Sequence, residues 1–142
     1  MDRYYQCAKK FSLETIVRMT SDSPFLDPLI VDKTVNKFQE DDFDFVSNNL
    51  IRTFPIGIDT EVFSFKTLEQ AWKEAKLPSE REHVTTFIKK NKEVFKIYNL
   101  ENNLKIPIYR LTIDRNEDLE FLRIINLKLV NISKESKTLI SK

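Results

Sequence analysis

Segments with strand periodicity alternate with segments of helix periodicity along this chain, and that alternation restricts the fold more than any other feature. Residues 14–19, ETIVRM, form a short run rich in β-branched residues, which predicts a strand. Similar runs predict strands at residues 44–48, within 53–65, at 93–100 and at 108–113, the last two possibly paired with each other. Strands alternating with helices favour an α/β domain with a mixed sheet flanked by helices.

Helix signals fill the intervals between these strands. Residues 2–11 place Tyr4, Cys7, Ala8 and Phe11 on one apolar face, and this pattern assigns Cys7 to the core. Asp27 and Pro28 have the order of an N-cap and a first helical residue. Capping boxes are predicted at Thr67–Gln70 and Ser79–Glu82, and a last helix begins near Glu117. We expect the polar tail, residues 133–142, to fray.

The length and the charge balance bound the class of protein. The chain has 142 residues, which predicts a single domain over residues 1–142. Its formal net charge of +1 gives no electrostatic reason to expect a nucleic acid partner. No apolar run approaches the roughly 20 residues of a membrane span. One cysteine allows no disulfide within the chain, which suits the cytoplasm, and with one histidine it makes a zinc site unexpected.

Two acids follow predicted strands. Asp22 comes after TIVRMTS and Asp114 comes after YRLTI. Ligands of α/β domains gather at the carboxyl ends of strands, where two carboxylates could share one Mg²⁺ with phosphate oxygens. Each acid also has a plainer interpretation, because Asp22 could form an Asx turn before Pro24 and Asp114 could cap the last helix through its D-x-x-E spacing.

The only glycine of the chain lies in the segment FPIGIDTEVFSF. Gly57 predicts either a positive φ angle or a close approach of the backbone to a ligand. Asp59 and Glu61 alternate with apolar residues and would share one side of a strand, where they could bind sugar hydroxyls or simply face solvent. The lone His83 favours a packed structural residue, and Arg81 and Lys89 favour a solvated helix face.

Four segments, taken in order, resemble one family. They are DRYYQCAKK, VRMTSDSPFLDPLIVDK, FPIGIDTEVFSFKTLEQAWKEA with SEREHVTTFI, and YRLTIDRNEDLEFL. Together they are similar to the spore-coat-polysaccharide-type cytidylyltransferases, which are related to the acylneuraminate and 3-deoxy-manno-octulosonate cytidylyltransferases. The resemblance covers residues 2 to 125 and implies a Rossmann-like fold of the nucleotide-diphospho-sugar transferase type.

The resemblance also implies an activity and a set of site residues. The reaction is the transfer of CMP from CTP to a sugar or sugar acid, with Mg²⁺ as cofactor and pyrophosphate as the second product. Asp22 matches the acid of the family's T-G-D-x-P motif and Asp114 that of T-V-D-x-x-E-D-L, which implies metal positions. The implied substrate-binding positions are Thr20, Gly57, Asp59, Glu61, Arg81 and His83. Thr20 stands where the sugar-acid enzymes have glutamine.

One motif of these relatives does not occur in the 142 residues. Relatives begin with a strand and a basic loop of the type R-x-x-S-x-R-L-P-G-K, which wraps the CTP triphosphate, and this sequence contains no such loop. We therefore expect a C-terminal part of the enzyme that is inactive or incomplete alone. Its uncovered strand would pair with a second copy or with a complementary N-terminal chain. The alternatives are a non-catalytic remnant that assembles through its sheet edge, and a transferase that uses another base.

Overall fold

A computed structural model describes residues 1–104 and 107–140, with the side chains of 133–140 left aside. Six helices and four strands are assigned in these residues. They are α1 (Asp2–Lys10), β1 (Thr15–Arg18), α2 (Pro28–Glu40), β2 (Phe45–Ser47), β3 (Glu61–Ser64), α3 (Phe65–Glu74), α4 (Pro78–Glu82), α5 (Thr86–Lys90), β4 (Ile97–Asn99) and α6 (Asn116–Ile140). The α/β class predicted from the alternation is confirmed.

The four strands form one mixed sheet in the order β1-β3-β2-β4. Strand β3 is antiparallel to both β1 and β2, whereas β2 and β4 are parallel. Strands β1, β2 and β4 therefore run in one direction, and their carboxyl ends meet at the same side of the sheet as the start of β3. We call this side the strand-end edge.

The main core lies between one face of the sheet and the helices α1, α3 and α5. Phe45 and Phe63 supply the sheet side of this core and are fully buried. Their rings lie 6.1 Å apart and nearly parallel, on neighbouring strands. Leu68 of α3 and Ile88 of α5 close the core from the helix side. This packing fixes α5 over the same sheet face that carries Glu61 further along β3, because residues two apart on a strand share a face.

Helix α2 begins as the sequence predicts. The side chain of Asp27 accepts a hydrogen bond from the backbone N–H of Leu29 at 2.9 Å, and Pro28 is the first helical residue. An N-cap side chain satisfies one of the amide groups that a helix start leaves unpaired. The start of α2 is thereby fixed by two adjacent residues.

Three local predictions about helices are wrong. Ser64, not Thr67, caps α3, because β3 passes directly into the helix and the last strand residue is the one in reach of the amide of Thr67, at 3.0 Å. Helix α4 has no side-chain cap, so the Ser79 box is not formed. Cys7 is exposed, since α1 turns Tyr5 and Ala8 inward instead.

The predicted pairing of residues 93–100 with 108–113 is also wrong. Within the described residues, 108–113 makes a single parallel bridge, from Arg110 to Ile56, while β4 pairs with β2. The tail from Ser133 has a helical backbone to Ile140, and residues 141–142 lie outside the described part.

Much apolar surface remains uncovered. Within its described side chains, up to residue 132, helix α6 exposes the apolar residues Phe121, Ile124, Leu127 and Leu129 and buries Leu122. Among the described residues, no helix combines the length and the apolar character needed to cross a membrane.

Candidate functional site

The strand-end edge collects most of the residues that the sequence singles out. Thr20 and Asp22 follow β1, Asp59 precedes β3, and Glu61 is the first residue of β3. In the loop after β1, the hydroxyl groups of Thr20 and Ser23 lie 3.1 Å apart, and Ser23 donates to the Asp22 carboxylate at 3.3 Å. These short-range bonds hold the loop as one polar turn beside the sheet.

Asp114 reaches the same edge through a backbone bond. The N–H of Ile113 donates to the carbonyl oxygen of Asp22 at 2.8 Å. Asp114 is the next residue, about 3.8 Å along the chain from Ile113. This bond therefore places the backbones of Asp22 and Asp114, which are 92 positions apart in the sequence, near each other.

Gly57 makes this approach possible. Its φ angle is +101°, and a Cβ atom placed on it would lie 2.7 Å from the carbonyl carbon of Leu111 and 2.8 Å from the carbonyl oxygen. The neighbouring Ile56 accepts from the N–H of Leu111 at 2.7 Å and donates to Tyr109 at 2.8 Å. The predicted positive φ angle is confirmed. The close approach at Gly57 is that of the backbone segment that carries Asp114, and an approach to a ligand stays a prediction.

The Asp114 carboxylate is held within its own segment. Arg110 donates to it at 2.5 Å and Thr112 donates at 3.0 Å. Asp118, in the first turn of α6, accepts from the backbone N–H groups of Asp114 and Arg115, both at 3.0 Å, and pairs with Arg110. The helix start is thus fixed by the side chain of Asp118, so the plainer interpretation of Asp114 as the side-chain cap does not hold.

Asp118 itself is stabilised as the anion. Its partial burial opposes ionisation, but the N–H of Asp114, the Arg110 guanidinium and the N–H of Arg115 outweigh that cost and lower the pKa of Asp118. The charged Asp118 keeps Arg110 and the backbone of Asp114 in fixed positions beside the Asp22 loop.

The chemistry of this pair of acids suits a magnesium ion that arrives with its substrate. No group of three or more histidine, cysteine or acidic side chains that could hold a metal occurs in the described residues. Mg²⁺ is commonly bound by one or two carboxylates together with substrate phosphates and water. Asp22 and Asp114 offer that number, and Arg110 would have to share or yield the Asp114 oxygen that it contacts.

Glu61 lies at the centre of a second polar cluster on the strand-end edge. Its side chain is 2% exposed. Arg18, its direct cross-strand partner on β1, donates at 2.8 Å, and Lys89 of α5 donates at 2.5 Å. Thr85 donates to both carboxylate oxygens, at 3.2 and 3.1 Å. We call Arg18, Glu61, Thr85 and Lys89 the Glu61 cluster.

Glu61 is charged despite its burial. Burial raises its pKa, but Lys89 and then Arg18 attract the carboxylate strongly enough that the pKa of Glu61 ends below its ordinary value. A buried carboxylate with two cations around it contradicts the idea of a solvated strand face. Protein donors occupy both of its carboxylate oxygens, so the role of Glu61 is to position Arg18, Thr85 and Lys89.

A short chain of polar contacts joins the Glu61 cluster to Asp59. Asn49, just after β2, lies 3.3 Å from Glu61 and 3.4 Å from Asp59 through its amide nitrogen, and its amide oxygen accepts from Lys89 at 2.9 Å. Asp59 forms a bidentate ion pair with Arg52, with Nη1–Oδ1 and Nη2–Oδ2 distances of 2.8 and 3.0 Å. This pair raises the pKa of Arg52. The two acids of the P-x-G-x-D-x-E segment therefore belong to one network.

Two predicted substrate positions make their contacts elsewhere. Arg81 donates to the backbone oxygen of Trp72 at 2.5 Å, and its guanidinium lies 5.7 Å from the centre of the Trp72 ring. His83 ends α4 and is exposed, so the interpretation of His83 as a packed residue is wrong. From the same motif, R-E-H-V-T, the residue that reaches the Glu61 cluster is Thr85.

Arg18, Asn49, Arg52 and Thr85 are members of these networks that sequence reasoning missed. The one available signal was Thr85 within the R-E-H-V-T motif. Arg18 opposes Glu61 only because of the β1–β3 register, which the sequence does not display.

Comparison with known proteins decides the family. Residues 1–139 match the family model described as cytidylyltransferase. The chain belongs to the cytidylyltransferase family. A solved cytidylyltransferase from Leptospira borgpetersenii serovar Hardjo-bovis has the same fold, with a TM-score of 0.83 and 33% identity over 96% of this chain and 63% of that one.

Two curated relatives extend the comparison. An uncharacterised protein of Methanocaldococcus jannaschii is 42% identical over 123 residues, which are 84% of this chain and 49% of that protein. The spore coat polysaccharide biosynthesis protein SpsF of Bacillus subtilis is 29% identical over 133 residues, which are 90% of this chain and 53% of that protein. The chain spans about half the length of these curated relatives. The predicted family and the predicted fold are thus confirmed.

Proposed function

We propose that this chain takes part in the transfer of CMP from CTP to a sugar or sugar acid, giving a CMP-sugar and pyrophosphate for polysaccharide or glycan synthesis. The observation that supports the proposal is the backbone bond from Ile113 to Asp22, which joins the loop of Asp22 to the segment that carries Asp114. Membership of the cytidylyltransferase family and the similarity to SpsF, a spore coat polysaccharide biosynthesis protein, support the choice of reaction. We place it in the cytoplasm.

In this reaction a sugar hydroxyl attacks the α-phosphorus of CTP. The new bond joins the sugar oxygen to that phosphorus, the bond from the α-phosphorus to the bridging oxygen breaks, pyrophosphate leaves, and the hydroxyl proton is lost to a base. Asp22 and Asp114 are the residues that would hold Mg²⁺, which when bound offsets negative charge on the phosphates. Gly57 and Asp118 position the second of these acids, and the Glu61 cluster flanks the pair.

We further propose that the 142-residue chain catalyses this transfer only slowly when it is alone. They contain no R-x-x-S-x-R-L-P-G-K loop, the part that wraps the triphosphate in the resembled enzymes. The two acids would then hold a metal whose nucleotide lacks most of its contacts. A second chain that carries this loop is the partner that we expect to restore turnover.

Pyrophosphate release tests both statements. The 142-residue chain is assayed with CTP, Mg²⁺ and a panel of neutral and acidic sugars, alone and mixed with an N-terminal chain that carries the loop. We expect little release alone and clear release from the mixture, abolished by Asp114→Asn but not by the charge-matched control Asp32→Asn on exposed α2. Robust turnover by the isolated chain would contradict its dependence on the loop. No CTP-dependent release from the mixture with any sugar would contradict the proposed transfer.

The sheet edge favours a second candidate, a module that assembles through β1. Strand β1 is a terminal strand of the described sheet, and Val17 within it and Met19 just after it are 37% and 40% exposed. An unpaired strand edge with apolar side chains is a template for pairing with another chain.

Light scattering after size exclusion tests assembly through β1. We expect the wild-type chain to dimerise and Val17→Lys to shift it toward monomer. Leu29→Lys, at an apolar residue 68% exposed on α2, is the matched control and should leave the dimer unchanged. A wild-type chain that stays monomeric across a concentration series would exclude this candidate.

A further inference from the structure

The Glu61 cluster and its neighbours carry an unbalanced charge. Three cations, Arg18, Arg52 and Lys89, contact two acids, Asp59 and Glu61. Arg52 occupies both oxygens of Asp59. Among the described residues, Glu61 is therefore the one acid that pairs with Arg18 and Lys89, so these contacts leave one positive charge in excess at a partly buried position. Buried charges are normally paired, because an unpaired one is costly to remove from water.

The two cations that share Glu61 are fixed, yet they stay accessible. The side chains of Arg18 and Lys89 are 21% and 29% exposed, while that of Glu61 is 2% exposed. Thr85 covers both oxygens of Glu61, so the acid has little capacity left for an added ligand. A ligand that reaches the Glu61 cluster would thus contact the positively charged donors of Arg18 and Lys89. The ion pairs with Glu61 fix the conformations of these two side chains.

A buried donor on Arg18 lacks a partner. Its Nε is buried and makes no hydrogen bond among the described residues. Native proteins rarely leave a buried donor unpaired, and an unpaired one often marks a place where a ligand, ion or water belongs. The orphan donor and the surplus charge are independent observations on the same guanidinium, and both call for an acceptor.

We propose that Arg18 and Lys89, positioned by Glu61, bind an anionic group of the substrate, either a phosphate or a carboxylate. Arg18 is the last residue of β1, four positions before Asp22, so this anion subsite would lie on the strand-end edge with the two acids. The inference rests on the proposed function only in calling the anion a substrate group. Glu61 is a positioning residue here and does not bind sugar hydroxyls.

Binding measurements that need no turnover test the subsite. The complete 142-residue chain is titrated by calorimetry or NMR with inorganic pyrophosphate, with glucuronate and with neutral glucose, at constant ionic strength so that screening stays fixed. We expect at least one anion to bind and glucose not to bind. Stronger binding of pyrophosphate would assign the subsite to a phosphate, and stronger binding of glucuronate would assign it to a sugar carboxylate.

Matched variants locate the site. Lys89→Gln should weaken anion binding about tenfold or more, equivalent to about 1.4 kcal/mol, whereas Lys89→Arg should retain most of it. Lys90→Gln removes the same charge from the next residue, which pairs with Glu80, and should change affinity less than about twofold. If a thermal melt shows that Lys89→Gln is unfolded, the anion affinity of Arg18→Gln is measured instead.

Three results would overturn the subsite. They are failure of both anions to bind the wild-type chain, glucose binding as tightly as the tighter of the two anions, and equal losses for Lys89→Gln and Lys90→Gln. Failure of the pyrophosphate-release assay leaves these titrations unaffected, so the two proposals fail separately.

Discussion

The backbone N–H of Ile113 donates to the carbonyl oxygen of Asp22 at 2.8 Å, and this bond joins the two acid-bearing segments of the chain. It connects the loop after β1 to the segment before α6, which pairs with the sheet through no regular strand. The position of Asp114 therefore depends on a few backbone hydrogen bonds, and single substitutions that weaken these bonds should move it.

Gly57→Ala should release the segment that carries Asp114. An added Cβ would meet Leu111 backbone atoms at 2.7 and 2.8 Å, and the φ angle of +101° is strained for alanine. We expect a loss of about 1–3 kcal/mol in the free energy of unfolding. Hydrogen exchange should accelerate at the amides of Leu111 and Ile113, and the Leu100 amide, bonded to Ser47, serves as the internal control. Unchanged exchange at Leu111 would show that Gly57 does not govern this contact.

Acidification should weaken the fold through Glu61. The pKa of Glu61 is lowered in the folded chain, so its stabilising contribution is complete above the unfolded-state value of about 4.3 and is lost as pH falls through the lower folded value. Melting temperatures of wild type and Glu61→Gln, measured from pH 7 down to pH 3, should differ most at neutral pH and converge in acid. A gap between the two proteins that stays constant with pH would contradict a charged, buried Glu61.

Asp118→Ala should loosen the start of α6. Asp118 accepts from the N–H groups of Asp114 and Arg115, and its lowered pKa keeps it charged at neutral pH. Hydrogen exchange at these two amides should accelerate in the variant. Glu120→Ala, on the same helix and paired with Arg123, should not have this effect. Equal exchange rates of the Asp114 and Arg115 amides in the two variants would show that Asp118 does not hold the start of α6.

Some local signals predict the structure correctly, whereas the two misplaced helix caps and the contacts between distant segments do not follow from the sequence. The Asp27–Pro28 start of α2 depends on neighbouring residues alone, so the pattern suffices. The strand at 14–19 and the placing of Asp22 beyond its end also follow from short-range periodicity. The pairing of 108–113 was wrong because the rule for hairpins assumes a neighbouring partner in sequence, whereas Arg110 bridges to Ile56.

The burial of Glu61 likewise depends on contacts between distant segments, which its local sequence pattern does not reveal. From the sequence, its alternation with Ile58 and Val62 permits a solvated face, since nothing local reveals that α5 will cover it. The cluster forms only when the β1–β3 register places Arg18 opposite Glu61 and α5 brings Lys89 from above. His83 and Cys7 were misassigned for the related reason that a periodic pattern does not fix which side of a short helix meets the core.

Paramagnetic NMR with Mn²⁺ in place of Mg²⁺ tests the central claim, that Asp22 and Asp114 share one cation. Trace Mn²⁺ should broaden the amide signals of Ser23 and Arg115 together in the wild-type chain. Either Asp22→Asn or Asp114→Asn should abolish the broadening at both amides, while the exposed control Asp32→Asn should leave it intact. Broadening that persists at one amide after the other acid is removed would show that the two acids do not form a single metal site.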